Sequence, residues 1–202
     1  MRSPDLAGVV LCGGSSTRMG RDKALIEVDG QPLVWRVAAE LDKVAEPVIL
    51  ATGTKGRLGD LKYAEVTDAR SRAGPIGGMV AGLRASPHEL TAIVAVDLPF
   101  ANADVLSLLA GVIEDADAAV PVTSDGLQPL HAVYARTALP VLERALVDGP
   151  TSVRSALAML DVREVGPDQW GAADPTGRFA RNLNWPDDLA KVLSRADRDP
   201  AR

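Results

Sequence analysis

Leu11-Cys12-Gly13-Gly14-Ser15-Ser16-Thr17-Arg18-Met19-Gly20-Arg21-Asp22-Lys23 is the stretch on which the reading of this chain turns. It follows Leu6–Leu11, a short apolar run with the length and composition of a buried strand. Two adjacent glycines lack a Cβ, so a ligand can come close to backbone N–H groups there. Three hydroxyl residues supply short donors, and Arg18, Arg21 and Lys23 supply positive charge beside them. Backbone donors, hydroxyls and cations gathered in one loop suit a polyphosphate. The plainer alternative is a strand-to-helix turn with a solvated basic rim. Neither Gly13 nor Gly14 has the spacing of a P-loop, and the G-x-G-x-x-G dinucleotide fingerprint is also missing here.

Working outward, residues 24–28 read as a short extended piece ending at the Asp29-Gly30 turn, with Pro32 suited to a first helical position. Leu33, Val34, Val37, Ala38 and Leu41 then fall on one helical face. Residues 47–52 form the next expected strand, 53–59 a glycine-punctuated loop, and 61–66 a third strand. A polar loop leads into Ile76-Gly77-Gly78-Met79-Val80-Ala81-Gly82-Leu83, apolar at helical spacing but weakened by three glycines at about 1 kcal/mol each. Either close packing on a sheet or approach to a ligand accounts for them. Residues 91–96, almost wholly apolar, suit a strand covered on both faces. Asn102 can cap a helix running to about Glu114. Strands are expected at 118–122, 129–135 and 162–165, helices at 137–148 and 152–160, and loop at 166–177. A last helix would follow Asn182 to about Ala196, and residues 194–202 read as a frayed tail.

Strands alternating with helices imply a single-domain α/β fold: a three-layer sandwich around a Rossmann-like, mostly parallel sheet. Such sheets bind ligands beyond the carboxyl ends of their strands, near a topological switch point. The glycine loop and Asp97 both lie at such ends. A carboxylate ending so apolar a strand needs a hydrogen bond or a cation, and magnesium favours hard oxygen ligands. Asp97 therefore reads as a metal ligand, with a turn cap before Pro99 as the alternative. Lys23 reads as an exposed loop cation that would act on polyphosphate.

The chain has 202 residues, 47% hydrophobic and 24% charged, enough for one domain with a real core. With only three Trp, two Tyr and two Phe, that core must be mainly aliphatic. A net charge of −5 opposes a general nucleic-acid binder, so a basic loop in an acidic protein points to a small anionic ligand. The single cysteine, Cys12, allows no intrachain disulfide; it reads as a small buried residue rather than a reactive thiol. No apolar run reaches membrane-spanning length and no signal peptide is evident, so a cytoplasmic location is expected, without a membrane partner. His88 and His131 have no partners in sequence that suggest catalysis, and core or surface roles are expected for both.

The opening stretch also resembles the signature L-x-G-G-x-S-x-R-M-G-x-D-K of nucleotidyltransferases that activate small metabolites. Within that superfamily the chain is most similar to the molybdenum cofactor guanylyltransferases, through motifs running from about Leu6 to Ala196. The resemblance implies a nucleotide-diphospho-sugar transferase (GT-A type) fold. The activity it implies is transfer of GMP from GTP to the terminal phosphate of molybdenum-molybdopterin, with magnesium. Asp97-Leu98-Pro99 matches the family's metal-binding D-x-P step, and Arg18 and Lys23 its catalytic cations. Leu11, Cys12, Gly13, Gly14, Asp68, Gly74 and Gly78 match nucleotide-contacting positions. Gly74-Pro75-Ile76-Gly77-Gly78 is similar to G-P-L-A-G, and Gln128-Pro129-Leu130 to a Q-P-L step. Asn182 and Asn184 match a late N-x-N-x-P motif near the second substrate, though both could also cap a helix; Arg154 could reach a phosphate. Ala51-Thr52 stands where some members carry a base-contacting asparagine. Partners implied are GTP and molybdenum-molybdopterin, with molybdenum-insertion and molybdoenzyme-maturation proteins beyond them. Two alternatives stay open: a related enzyme using CTP or another phosphorylated acceptor, and a binder of nucleotide or pterin without turnover.

Overall fold

In the computed structural model, residues 5–13, 22–59, 62–68, 74–148 and 152–183 are described. The strands are β1 (Leu6–Leu11), β2 (Glu27–Val28), β3 (Gln31–Pro32), β4 (Val48–Ala51), β5 (Ala64–Val66), β6 (Leu90–Ala95), β7 (Ala118–Thr123), β8 (Gly126–Leu127), β9 (His131–Ala135) and β10 (Val162–Val165). The helices are α1 (Leu33–Leu41), α2 (Gly74–Ala85), α3 (Ala103–Val112), α4 (Ala138–Asp148), α5 (Val153–Leu157) and α6 (Pro167–Trp170). The main sheet runs β10-β7-β9-β6-β1-β4-β5, with β8 paired to β7. Pairing is parallel for β1 with β4 and β6, β4 with β5, and β7 with β10. It is antiparallel where β9 inserts between β6 and β7, and at β8.

β1 is buried along its whole length because both of its faces are covered. Period-2 alternation splits it between two cores. Leu6 and Val10 pack with the apolar faces of α1 and α3, whereas Val9 and Leu11 pack with those of α2, α4 and α5. The expected α/β sandwich is therefore present, with helices on both faces of a mainly parallel sheet. The α1 stripe Leu33, Val34, Val37, Ala38 and Leu41 is buried as its spacing predicts.

Local chemistry explains the departures from the sequence reading. Residues 24–28 are not one extended piece: a 3-10 turn, Lys23–Leu25, precedes a two-strand hairpin of β2 and β3. Asp29 and Gly30 both have positive φ there (53° and 73°), the geometry of a tight hairpin turn. Pro32 ends β3, and the helix begins one residue later. The expected loop at 166–177 contains the turn of α6, which starts with Pro167 at its first position. The helix expected over 152–160 is shorter, Val153–Leu157, and the strand expected over 129–135 begins only at His131. Asn102 does cap α3, its Oδ1 accepting from the N–H groups of Asp104 and Val105. The helix expected after Asn182 and the tail lie outside the described residues.

The glycines of α2 serve packing at one position in particular. A Cβ on Gly82 would lie 2.6 Å from Val9 Cγ1, so α2 sits on β1 at a distance that only glycine permits. One on Gly78 would lie 3.1 Å from Leu11 Cδ2 and 3.6 Å from Asp68 Oδ1, so that position meets both the core and the site.

Candidate active site

The register of the sheet assembles the site. Leu11 is paired with both Ala51 and Ala95, and Ala51 with Val66. Cys12 N–H donates to Ala51 O (2.8 Å), Thr52 N–H to Val66 O (3.0 Å) and Val96 N–H to Leu11 O (3.1 Å). Gly13, Gly53, Asp68 and Asp97 each stand two residues beyond that last rung, at the carboxyl ends of four neighbouring parallel strands. The chain proceeds from β1 to β4 on one side and later to β6 on the other, so this is the topological switch point at which such sheets bind ligands.

Asp97 and Lys23 meet here. Lys23 Nζ lies 3.1 Å from Asp97 Oδ2, with side-chain exposures of 18% and 27%. Lys23 is thus an ion-paired, largely covered side chain, not the exposed cation expected from its loop. Its turn is capped by Asp22, whose Oδ1 accepts from Ala24 N–H at 3.1 Å. The other carboxylate oxygen of Asp97, Oδ1, is buried without a hydrogen-bond partner among the described residues. Leaving such an acceptor unsatisfied costs about 1–3 kcal/mol or more, so a donor or cation belongs there. The turn-cap alternative for Asp97 finds no support among the described residues: Oδ2 accepts from Lys23 Nζ and Oδ1 from no backbone N–H, and Asn102 caps the helix that follows.

Asp68, an ordinary loop residue by sequence, also has a buried, unpartnered Oδ1. Burial raises its carboxyl pKa, and the nearby Arg57 guanidinium only partly opposes the shift. A carboxyl whose folded-state pKa exceeds its unfolded value adds stability below the unfolded pKa and loses it as pH rises through the folded one. At neutral pH the ionised Asp68 therefore works against folding. Ligand-free Asp68→Asn should melt higher than wild type at pH 7, with the difference shrinking as pH falls into the carboxylate range. A variant that melts lower throughout would make Asp68 a structural residue.

Among the described residues, two clefts open at this end of the sheet. One, of about 190 Å³, is lined by Leu11, Cys12, Gly13, Asp22, Lys23, Pro75, Ala95, Val96, Asp97 and Leu130. The other, of about 300 Å³, is lined by Leu98, Asp125, Leu127, Gln128, Pro129, Leu130, Arg154, Leu157, Ala180 and Asn182. Leu130 belongs to both walls, and Asp97 and Leu98 lie on opposite sides of the same step. Leu183 N–H donates to Asp97 O at 2.8 Å, which ties the segment carrying Asn182 to the metal-ligand candidate. The structure thus brings Leu11, Cys12, Gly13, Lys23 and Asp97 to the first cleft. Asn182 and Arg154 line the second, together with the Gln128-Pro129-Leu130 step. Gly74 begins α2 with φ +63°, and Pro75 after it lines the first cleft. Gly14, Arg18 and Asn184 lie outside the described residues.

Cys12 is buried, its thiol pushed up to about 12 chiefly by burial, so it is packing rather than a nucleophile. His131 is fully buried, accepts Asn102 N–H at Nε2 (3.1 Å) and lies 4.7 Å from the Phe179 ring; burial lowers its pKa to about 4. His88 Nε2 lies 2.8 Å from Glu46 O. Neither histidine lines the two clefts. Thr52, at the position of the expected base contact, is buried and donates its hydroxyl to Glu65 Oε1 at 2.6 Å. Sequence reasoning missed Arg57, whose only signal was a cation among glycines, and gave Asp22 no role.

Asp97 fits a magnesium ion on its own terms. That ion typically takes one or two carboxylates and completes its shell with water and substrate phosphates. Among the described residues no group of three or more His, Cys, Asp or Glu gathers as a protein cage, whereas Asp97 has a buried oxygen facing no partner.

Comparison with known proteins bears on the family and the fold. The MobA-like NTP transferase domain matches residues 8–165. A probable molybdenum cofactor guanylyltransferase of Chloroflexus aggregans is 32% identical, covering 93% of each chain. A molybdenum cofactor guanylyltransferase of Desulfosudis oleivorans is 32% identical over 93% of this chain and 94% of its own. The crystal structure of molybdopterin-guanine dinucleotide biosynthesis protein A from Archaeoglobus fulgidus superposes with a TM-score of 0.84 at 25% identity, covering 96% of this chain and all of that one. A cytidylyltransferase from Thermus thermophilus, acting on 2-C-methyl-D-erythritol 4-phosphate, shares the fold at a TM-score of 0.70 and 16% identity, covering 96% of this chain and 99% of its own. Sheet topology, Gly13 at its switch point and these relatives together assign the chain to the MobA-like NTP transferase family, as a nucleotidyltransferase.

Proposed function

We propose that this nucleotidyltransferase moves GMP from GTP to the terminal phosphate of molybdenum-bearing molybdopterin and releases pyrophosphate. The observation that carries the reading is the Lys23–Asp97 pair, with Asp97 Oδ1 unsatisfied, where two clefts share the Leu130 wall. The nucleotide would take the cleft of the glycine loop, and the acceptor the larger one lined by Gln128, Arg154 and Asn182. An acceptor phosphate oxygen attacks the α-phosphorus. The bond from that phosphorus to the bridging oxygen breaks, and pyrophosphate leaves in line. Asp97 would hold magnesium, which when bound neutralises charge growing on the phosphates. Lys23 adds a fixed positive charge, and Cys12-Gly13 presents backbone close to the phosphates. Positioning plus electrostatics is sufficient catalysis for such a transfer. A cytoplasmic location accords with this chemistry.

Guanine is the base preferred on this reading. A Cβ on Gly13 would meet Asp68 Oδ2 at 3.7 Å and Gly53 N at 3.7 Å, so Gly13→Ala would fit the fold but fill space beside Asp68. Glycine there leaves room for a purine, and guanine's N1–H and N2–H₂ donors suit a carboxylate or carbonyl acceptor. GTP should be preferred over CTP by at least roughly tenfold in kcat/KM, a little over 1 kcal/mol of discrimination. Gly13→Ala should erode that preference. Equal GTP and CTP competing for molybdenum-loaded molybdopterin gives the test, read by the nucleotide attached. Mostly cytidylylated product would overturn the guanine assignment, and binding without pyrophosphate release would overturn transfer.

A further inference from the structure

We infer that Arg57 is a positioning residue for the transfer, a two-ended guanidinium clasp that fixes Cys12-Gly13 and Lys23 relative to each other. The inference rests on the nucleotidyl-transfer reading and adds to it a residue outside the motifs named in the sequence above. One guanidinium nitrogen, Nη1, lies 2.8 Å from Asp22 Oδ2, and the other, Nη2, donates to the carbonyl oxygen of Cys12. Asp22 is itself two-handed. Its Oδ1 accepts from Ala24 N–H at 3.1 Å and so caps the turn that carries Lys23, whose Nζ reaches Asp97. The connection therefore runs from Arg57 through Asp22 to the backbone of the Lys23 turn, and separately from Arg57 to the backbone just before Gly13.

The loop that carries Arg57 is organised to make this reach. Glu65 on β5 accepts from Gly56 N–H at 3.1 Å with each carboxylate oxygen, and from Thr52 Oγ1 at 2.6 Å. Gly56 has φ +71°, a conformation that other residues adopt only with strain, immediately before Arg57. The hydroxyl of Thr52 is thus spent on shaping the loop after β4, and the side chain this loop sends to the site is Arg57. Exposures of 24% for Arg57 and 19% for Asp22 set the pair apart from a solvated rim contact. A planar guanidinium can serve a carboxylate and a carbonyl simultaneously in fixed geometry; an ammonium cannot.

The test is a double-mutant cycle in the full chain with Arg57→Ala, Asp22→Asn and the two combined, plus Arg57→Lys. Asp22→Asn retains the oxygen that caps Ala24 and removes the charge that Arg57 grips. Two quantities are read: calorimetric binding of the α,β-methylene analogue of GTP, and kcat and KM for each substrate. Each single variant should weaken analogue binding by at least about fivefold and lower kcat by at least about tenfold. The acceptor KM should hold, and melting temperatures should stay within a few degrees. Because Asp22→Asn breaks a contact that Arg57→Ala has already removed, the double should be no more than about twofold worse than the worse single. Arg57→Lys should not restore kcat. Losses that multiply in the double, full activity in Arg57→Lys, or unchanged binding in Arg57→Ala would each overturn the clasp. Should Arg57→Ala fail to fold, Arg57→Gln takes its place in the same cycle. A wild-type chain that binds the analogue but transfers nothing would overturn the transfer reading, with the binding cycle still deciding the clasp. A chain that does not bind the analogue overturns both.

Discussion

Asp97→Asn should lower turnover at least about a hundredfold while leaving the protein folded. The substitution keeps the shape and hydrogen-bonding reach of the side chain and removes only its charge. In the structure Asp97 Oδ2 meets Lys23 and Oδ1 is buried with no partner among the described residues, so the charge is held where a cation can complete it. Removing one preorganised electrostatic group typically raises a barrier by about 2.7–4 kcal/mol, a loss of about a hundred- to a thousandfold in rate. Little folding energy should go with it, because Leu183 N–H bonds to the Asp97 carbonyl and not its carboxylate. Melting temperature should move by no more than a few degrees, and magnesium-dependent tightening of GTP should weaken. A variant whose magnesium titration and turnover match wild type would remove Asp97 from the site.

Lys23→Ala is expected to lower turnover at least about tenfold, with a different metal signature. On the proposed reading Lys23 and magnesium would share one carboxylate, so deleting the ammonium would remove a competitor for Asp97 while taking a positive charge from the polyphosphate. Magnesium binding should therefore be retained or tightened as kcat falls, the opposite of the Asp97 variant. The reach of Lys23 depends on its turn, which Asp22 caps, so the ammonium is preorganised and its loss is felt in the transition state. A Lys23→Ala protein that melts well below wild type yet keeps a normal kcat would make the Lys23–Asp97 pair a fold element.

The two variants separate the two halves of the site because they divide one ion pair. If both lost magnesium response together, the pair would be acting as a single structural unit. If only Asp97→Asn did, the carboxylate would be the metal's and the ammonium the phosphate's. The Asp68→Asn melting experiment is independent of both, since the unfavourable burial of Asp68 is read without ligand.

Much of this was legible in the amino-acid order alone. Leu6–Leu11 and the apolar run ending at Asp97 could only be strands covered on both faces, and the alternation with helical stripes such as Leu33, Val34, Val37, Ala38 and Leu41 required helices on both sides of a sheet. The glycine loop and the D-x-P step marked the ends of the strands that matter, because their chemistry is contained in a few consecutive residues. Asn102 announced its helix by capping it, a bond to residues only two and three positions away.

Tertiary structure decided what depends on register and on contacts distant in sequence. No local signal says that β9 enters antiparallel between β6 and β7, because strand direction is set by which edges remain to be paired. Nor does sequence say that Gly13, Gly53, Asp68 and Asp97 end at one level; that follows from the rungs joining Leu11 to Ala51 and Ala95, and Ala51 to Val66. Asp68 looked like a solvated loop carboxylate until the sheet buried its oxygen, and Lys23 like an exposed cation until it met Asp97. Arg57 was invisible for the same reason. A motif lists residues that act side by side along the chain, whereas Arg57 acts across a gap that only packing of the loop after β4 against the start of the glycine loop could close.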